Sequence, residues 1–547
     1  MGEEHLMDTP FAITLGVGTS RANHTGSWRV ERPVYVDRLP PCNNACPAGE
    51  NIQGWLYEAE SGNYEIAWRK LVEENPLPAI MGRVCFHPCE TACNRVQVDE
   101  AVGINAVERF LGDLAIEKGW RLPTPGPDTG KRILVVGSGP AGLSATYHLR
   151  RLGHSVRLVD SAEQLGGMMR YGIPAYRLPR VILDAEIERI IAMDVEVVLN
   201  HVVHDIEVER SAGGFDAVFL AVGAQLGKRV TIPAGDSSKV IDAVSFLHQV
   251  AHDDPPLLGR RVVVYGGGDT AFDAARTARR LGATDAVIVY RRNRERMGAS
   301  GEEFEQALGE GVTVRWLSTV SRFDPERIVL EKMRLNEEGF PEATGEFEEL
   351  DADSLVLALG QDTDLSLLDH AKDVTVHDGS VEVQHSMMAG ASGIFAGGDA
   401  VPAERTATVA VGHGKRAAHG IDDFVMGRAP KEKQRHELAT FERLNTWYYA
   451  DAPRTKRPEL EKVRRQTNFE EVIGGLTEEN ALFEARRCLS CGNCFECDNC
   501  FGVCPDNAVI KLGGDGRYEF DYDFCKGCGI CVKECPCGAI EMVPERI

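Results

Sequence analysis

The chain has 547 residues, 43% hydrophobic and 26% charged, a globular composition too long for one core, so three or four domains are expected. Its formal charge of -23 argues against nucleic-acid binding, the tail offers no basic patch, and a basic protein or domain partner stays open. No run reaches the roughly 18 apolar residues of a spanning helix, so no membrane insertion is expected.

The N-terminus MGEEHLMDTP is acidic and lacks an apolar h-region, so no signal peptide is expected. Without one, the acceptor-like triplet Asn23-His24-Thr25 is a chance match. Residues 1–41 are polar and broken by glycine and proline, which predicts an extended arm. Residues 42–125 predict a helical domain, with apolar spacing of three and four from Gln53 to Leu71 and from Ala106 to Lys118. Pro123, Pro125 and Pro127 then stiffen a linker.

Lys131 opens a strand–helix–strand unit: KRILVVG, AGLSATYHLRRLG and HSVRLVD. Its turn carries Gly137, Gly139, Pro140, Ala141 and Gly142. Gly137 permits the tight turn, Gly139 lets a pyrophosphate approach the backbone, and Gly142 lets the helix pack closely. Asp160 ends the next strand, placed to accept from ribose hydroxyls. The glycine-rich stretch through Gly167, Tyr171 and Ile173 suits a backbone lying against an extended cofactor. Asp399, ending GIFAGGDA, could reach a polyol hydroxyl. Together these favour FAD, bound by a discontinuous domain over 131–235 and 355–428.

The plan repeats within 236–354 as RRVVVYG, GGDTAFDAARTARRLG and AVIVYRR. Gly266, Gly268, Asp269 and Thr270 form the turn, with Ala271 at the third glycine position. The following strand ends without an acid, on Arg291 and Arg292. Two guanidiniums suit a 2'-phosphate, which favours NADP(H) over NAD(H). His148 and His154 read as structural; His413, in VGHGKR, lies near the expected flavin side.

Residues 429–487 are charged and helical in pattern, with a break at WYYADAP (447–453), which predicts a helical connector. The tail, 488–547, then repeats C-x2-C-x2-C-x3-C-P: Cys494, Cys497, Cys500 and Cys504 before Pro505, then Cys525, Cys528, Cys531 and Cys535 before Pro536. In a two-cluster fold the fourth cysteine of each run serves the other cluster. That assigns Cys494, Cys497, Cys500 and Cys535 to one [4Fe-4S] cube, and Cys525, Cys528, Cys531 and Cys504 to the second. Cys488 and Cys491 extend the rhythm backward and compete with Cys494 and Cys497 as ligands, while Cys537 is spare. A segment this small needs its metal for much of its folding free energy. All sixteen cysteines fall in 42–93 and 488–537, and cluster ligands must stay thiolates, so a reducing cytoplasm is expected.

Residues 42–425 resemble the small subunit of bacterial glutamate synthase and the homologous N-terminal part of dihydropyrimidine dehydrogenase. The shared features are CPAG at 46–49, GRVCFHPCETAC at 82–93, GSGPAGLSA at 137–145, GGMMRYGIP at 166–174, GGGDTAFD at 266–273, YRR at 290–292 and GGDA at 397–400. The tail resembles bacterial two-cluster ferredoxins. The resemblance implies an FAD- and NAD(P)H-using electron-transfer protein with a helical N-terminal cluster domain. In those relatives that domain holds two [4Fe-4S] clusters, and the first cysteine run is C-x2-C-x4-C-x3-C. Only its last two members match here, as Cys42 and Cys46. Carried over, one cluster would be held by Cys46, Cys85, Cys89 and Glu108. The other would keep only Cys42 and Cys93, so one N-terminal cluster is expected, with the choice of its four ligands among these groups left open.

The fold class implied is thus multidomain: a helical iron–sulfur domain, two Rossmann-like α/β domains, and a small α+β ferredoxin-like domain. Hydride from NAD(P)H would reach the flavin, and electrons would leave singly through iron–sulfur centres with no side-chain nucleophile. No segment reads as a site for an organic acceptor. The chain is therefore expected to serve a catalytic partner, such as a 2-oxoacid or aldehyde oxidoreductase, or a ferredoxin. A stand-alone NAD(P)H:ferredoxin oxidoreductase and a relay or scaffold subunit are the alternatives.

Overall fold

The computed structural model describes residues 24–545, apart from 28, 229, 231, 235–238, 391–392, 430–435 and 514–515. The first 23 residues of the expected arm, Asn23 among them, lie outside that set. Two parallel sheets organise the body. In the first, Arg132–Val136 lies between Ser155–Val159 and Ala217–Leu220, with Val136 opposite both Val159 and Leu220. Glu196–Val198 extends one edge; Ile394–Ala396 and the antiparallel Met388–Ala389 extend the other. Ile133, Leu134 and Val135 are fully buried, as continuous apolar strands require when helices cover both faces. Helix Pro140–Arg151 packs against Ala407–Val425 so closely that a Cβ at Gly414 would stand 2.2 Å from the Ala141 carbonyl oxygen.

The second sheet is inserted between Leu220 and Ile394. Its order is Thr313–Trp316, Asp285–Tyr290, Arg261–Tyr265, Ser354–Leu357, Lys239–Asp242, all parallel. Ser354–Leu357 therefore belongs to the second unit, not to the returning half of the first, which corrects the boundary expected at 355. Its four residues are buried and pair with Arg261–Tyr265 on one side and Lys239–Asp242 on the other. An antiparallel sheet of Ser318–Asp324, Arg327–Leu335 and Pro341–Asp351 covers this unit through Phe323, Ile328 and Leu330.

The N-terminal helices Ile52–Glu60, Tyr64–Val72 and Ile104–Lys118 enclose Trp55, Trp68, Leu71 and Leu111. Helix Pro78–Val84 crosses Ile104–Lys118 at two glycines. A Cβ at Gly112 would stand 2.3 Å from the Ala79 nitrogen, and one at Gly82 would stand 2.5 Å from Arg109 Cα. That close crossing sets the position of Cys85, which caps the helix.

Two expectations change. The segment 429–487 is not largely helical: its described α-helices are Lys462–Arg465 and Glu478–Arg486. Part of the rest lies along the N-terminal domain, held by Arg454 Nη2 with Glu90 Oε2 at 2.6 Å, and by Glu471 with Arg83 Nε at 2.8 Å and Arg109 Nη2 at 3.0 Å, while Asn445 Nδ2 donates to the Lys533 carbonyl of the tail at 2.8 Å. Its charges serve those contacts rather than a helix surface. The arm, in turn, is part of the tail. Glu31–Tyr35 pairs antiparallel with Ile540–Pro544, Tyr35 stacks on Phe520 at 4.6 Å, and Arg29 Nη1 donates to the Cys525 carbonyl at 2.8 Å. Among the described residues no helix is long and apolar enough to cross a membrane.

Candidate active site and cluster sites

The first glycine turn is shaped by backbone crowding. Gly137 has φ +100°, and a Cβ there would stand 2.3 Å from the Ala221 oxygen. A Cβ at Gly142 would stand 1.9 Å from the Gly137 oxygen, so Gly142 closes the turn rather than lining it. Gly139, by contrast, faces open space. Asp160 holds the turn: its carboxylate accepts from Ser138 N at 2.7 Å and Ser138 Oγ at 2.5 Å, and from Ala162 N at 2.9 Å. This carboxylate is committed to the loop, and Asp160 also lines the cavity beside it.

That cavity, ≈ 250 Å³, runs from Gly137, Gly139, Pro140, Ala141 and Asp160 past Gly167 and Ile173 to Asp399. It ends at Asp269 and Thr270 of the second unit. Val84 and Phe86, flanking Cys85, wall one side; Arg177 and Arg405 line it as well. A second cavity of ≈ 330 Å³ shares Gly137, Asp160, Val222 and Gln225 with it. Together they suit an extended dinucleotide. The pKa of Asp399 is raised from its ordinary value by burial, partly offset by Arg405. His413 Nδ1 accepts from Gly398 N at 3.1 Å, and burial with Arg416 lowers its pKa to about 4. It is thus a neutral acceptor fixing the loop beside Asp399. His148 and His154 point to Glu74 O and Asp422, away from the cavity.

Tyr171 is the exception to the predicted lining. The short helix Met168–Tyr171 turns its ring onto His248 and His252, at 4.8 and 5.2 Å between centroids, while Ile173 faces the cavity.

The second turn repeats the first with different side chains. A Cβ at Gly266 would stand 2.1 Å from the Ala358 oxygen, and Gly268 faces open space. Where Asp160 follows Val159, Tyr290 follows Val289, and its ring covers Gly267, 2.5 Å from a Cβ built there. The adjoining cavity, ≈ 550 Å³, is lined by Gly266, Gly268, Thr270 and Arg291. Arg291 is exposed on its rim, whereas Arg292 does not line it. Asp269 turns toward the first cavity and accepts from Ser300 N at 3.0 Å.

The cysteines fall into sets. Cys46, Cys85 and Cys89 lie within electrostatic reach of one another, and Glu108 reaches Cys46 and Cys85. Glu108 is buried and accepts from Asn75 Nδ2 at 2.9 Å; burial and Glu50 push its pKa well up. Burial, then Glu108, pushes Cys85 to about 12. In the tail, Cys497 and Cys500 neighbour Cys494 and Cys535. Cys504, Cys525, Cys528 and Cys531 line one small cavity. Cys504 Sγ accepts from Ala508 N at 3.2 Å and Cys535 Sγ from Ala539 N at 3.3 Å, the same contact in each half. Cys537 is buried, 3.7 Å from Cys535 Sγ. Cys42 and Cys93 face neither tail set but Cys488 and Cys491. Among the described residues no three His, Cys, Asp or Glu side chains close on a point as a single ion requires; thiols around a cube stand farther apart. The donor sets are thiol-rich and ringed by N–H groups, which fits iron–sulfur cubes.

Ser138 lies inside the first glycine motif, and Val84 and Phe86 inside GRVCFHPCETAC, but the sequence assigns a role to none of them, nor to Arg177 or Arg405, which stand outside the quoted motifs. The pairing of the arm with the tail also had no local signal.

Three stretches of the chain match known protein families. The description "Pyridine nucleotide-disulphide oxidoreductase" matches residues 131–414, "Dihydropyrimidine dehydrogenase domain II, 4Fe-4S cluster" matches 32–120, and "4Fe-4S binding domain" matches 518–541. The chain is similar to the NADP(+)-dependent formate dehydrogenase subunit beta of Moorella thermoacetica, 34% identical over 82% of this chain and 70% of that one. It is also similar to the NADPH-Fe(3+) oxidoreductase subunit beta of Geobacter sulfurreducens, 30% identical over 84% and 77%. A third relative is the PreT homolog of Salmonella typhi, an NAD-dependent dihydropyrimidine dehydrogenase subunit, 30% identical over 70% and 91%. Mycobacterium tuberculosis FprA in complex with NADPH overlays 55% of this chain and 84% of that one at 20% identity, with a TM-score of 0.45.

Proposed function

The chain belongs to the pyridine nucleotide-disulphide oxidoreductase family and is an NAD(P)H-dependent FAD and iron–sulfur oxidoreductase; we propose that it carries electrons between NADP(H) and a separate catalytic subunit. The observation that carries this reading is the shared cavity: the first glycine turn, the start of the second unit's helix, and the two neighbours of Cys85 line one space. A bound flavin supplies the exchange between a two-electron hydride and single electrons. Gly137, Gly139 and Asp160 would hold its pyrophosphate and ribose end, Ile173 and Val84 would exclude water, and Asp399 would meet its polyol.

Arg291, on the rim beside Gly268, would take the nucleotide's 2'-phosphate; the NADP(H) in the names of the Moorella and Geobacter proteins supports that choice. Cys46, Cys85, Cys89 and Glu108 would hold the cluster nearest the flavin. Cys494, Cys497, Cys500 and Cys535, and Cys525, Cys528, Cys531 and Cys504, would hold the two in the tail. Those relatives are named as subunits, which supports a catalytic oxidoreductase partner; the formate dehydrogenase among them favours one acting on a small organic substrate. The thiolate demand favours the cytoplasm.

The test is an anaerobic sample mixed with NADPH or NADH. Bleaching of the flavin band, faster with NADPH, is expected. A protein whose bound flavin is untouched by either nucleotide sinks the proposal, and co-purification identifies the partner.

A further inference from the structure

Cys42 and Cys93 were left by the resemblance as half a ligand set, and Cys488 and Cys491 as surplus at the head of the tail. The fold brings these two leftovers together. Cys42 lies within electrostatic reach of Cys488, Cys93 and Cys491; Cys488 lies within reach of Cys491 and Cys93, and Cys491 of Cys93. Cys42, Cys93 and Cys488 all pack against the apolar cluster of Trp55, Leu71 and Val107. Cys494, three residues on, has Cys535 as its thiol neighbour instead.

The approach is built, not incidental. Buried Arg487 donates to Ala101 O at 2.9 Å, to Glu100 O at 2.7 Å and to Asp99 at 3.2 Å. Arg95 Nη1 returns a bond to Arg487 O at 2.8 Å. These clamp the residue before Cys488 to the loop after Cys93. On the other side Arg38 N donates to Gly492 O at 3.0 Å. Gly492 has φ +77°, and a Cβ there would stand 2.5 Å from Arg38 Cβ and 2.8 Å from Ala439 Cβ. Only glycine lets the tail come this close to the segment before Cys42.

The sulfurs also receive N–H groups. Asn94 Nδ2 stands 3.5 Å from Cys491 Sγ, and Ser490 N donates to Cys488 Sγ at 3.4 Å. The Arg95 and Val102 amides face Cys93, and the Asn43 amide faces Cys42. Such donors stabilise cluster-bound thiolates and tune their potential.

We propose that Cys42, Cys93, Cys488 and Cys491 hold a fourth [4Fe-4S] cluster, whose ligands come half from the N-terminal domain and half from the head of the tail. The expectation of a single N-terminal cluster is thereby replaced. The placement links the other sets. Cys42 and Cys46 sit at the two ends of the short helix Pro41–Ala45, and Cys491 and Cys494 on one loop. The site thus stands between the flavin-side set and the tail cubes. An electron crossing it oxidises one neighbour and reduces the other by one, with no bond made and no proton taken. The proposal rests on the reading of the chain as an iron–sulfur flavoprotein, but the two fail separately, since NADPH can bleach the flavin whatever the cluster count.

The experiment is iron, sulfide and zinc analysis of the full chain, reconstituted anaerobically, with spin counting after reduction. Four cubes give about sixteen irons per chain and three give about twelve. The double variant C488S/C491S and the single variant Cys93→Ser should each lose about four irons and one reduced-cluster signal while keeping flavin. Cys537→Ser should lose none. A wild-type total of about twelve irons would overturn the proposal, as would one zinc per chain that disappears in C488S/C491S. The wild-type count stands even if a variant does not fold.

Discussion

The two glycine turns of this chain share one backbone and differ in what braces it. Each has a first glycine with no room for a side chain, since a Cβ would stand 2.3 Å from the Ala221 oxygen at Gly137 and 2.1 Å from the Ala358 oxygen at Gly266, and each leaves its middle glycine open. The first is braced by a charged group, Asp160, bonded to Ser138 from inside the fold. The second is covered by the Tyr290 ring over Gly267 and opens to a wide cavity with Arg291 on its rim. A turn locked from within suits a cofactor that stays; a turn under an aromatic cover with an exposed cation suits a nucleotide that comes and goes. The difference lies in the side chains, since the backbone geometry is nearly common to both.

The largest effect should come from Gly142→Ala. Its new Cβ would meet the Gly137 oxygen at 1.9 Å, a backbone atom rather than the end of a flexible side chain. We expect the purified variant to carry no flavin, by absorbance against protein, whereas the matching position of the second turn is already Ala271 and is fully buried. Flavin retained in Gly142→Ala would break the comparison. Next, Asp160→Asn keeps the shape but removes the charged acceptor of three bonds. Hydrogen bonds to charged groups contribute roughly 1.5–3 kcal/mol, so flavin affinity should fall at least about tenfold while NADPH affinity stays, read by titration of flavin-free protein.

Arg291→Gln should raise the KM for NADPH about tenfold and leave that for NADH nearly unchanged, because only the former carries the extra phosphate. Equal losses for both nucleotides would show that Arg291 serves the fold instead. Arg292→Gln, off the cavity lining, should change neither.

The smallest effect concerns His413, whose folded pKa is lowered to about 4 by burial and Arg416. A lowered folded pKa means that its contribution is present above the unfolded value of about 6.5 and is lost as pH falls toward 4. Flavin retention should decline over that window, and His413→Asn should flatten the decline while changing little at pH 7.5. An unchanged acid profile in the variant would remove His413 from the account.

Much of the site was legible because it is local. The glycine spacing of 137–142 and 266–268, the strand-end Asp160 and the cysteine triplets are short-range patterns whose chemistry follows from neighbours in the chain. Tyr171 was misplaced because a stretch of glycine-rich loop says little about which way a ring turns inside it; a four-residue helix decided that. Arg291 and Arg292 looked equivalent in sequence, and only strand geometry put one on the cavity. The segment 429–487 read as helical from its charges, yet those charges are spent on Arg83, Arg109 and Glu90 of another domain.

By itself the amino-acid order determined the two dinucleotide turns, the doubled cysteine run and the electron-carrying character of the molecule, since each depends on residues a few positions apart. Tertiary structure alone decided that Glu31–Tyr35 completes the tail by pairing with Ile540–Pro544, and that Cys42 and Cys93 meet Cys488 and Cys491. Nothing in local spacing selects partners some 400 to 500 residues away. That choice is made by buried guanidiniums and by a glycine small enough to let two distant segments touch.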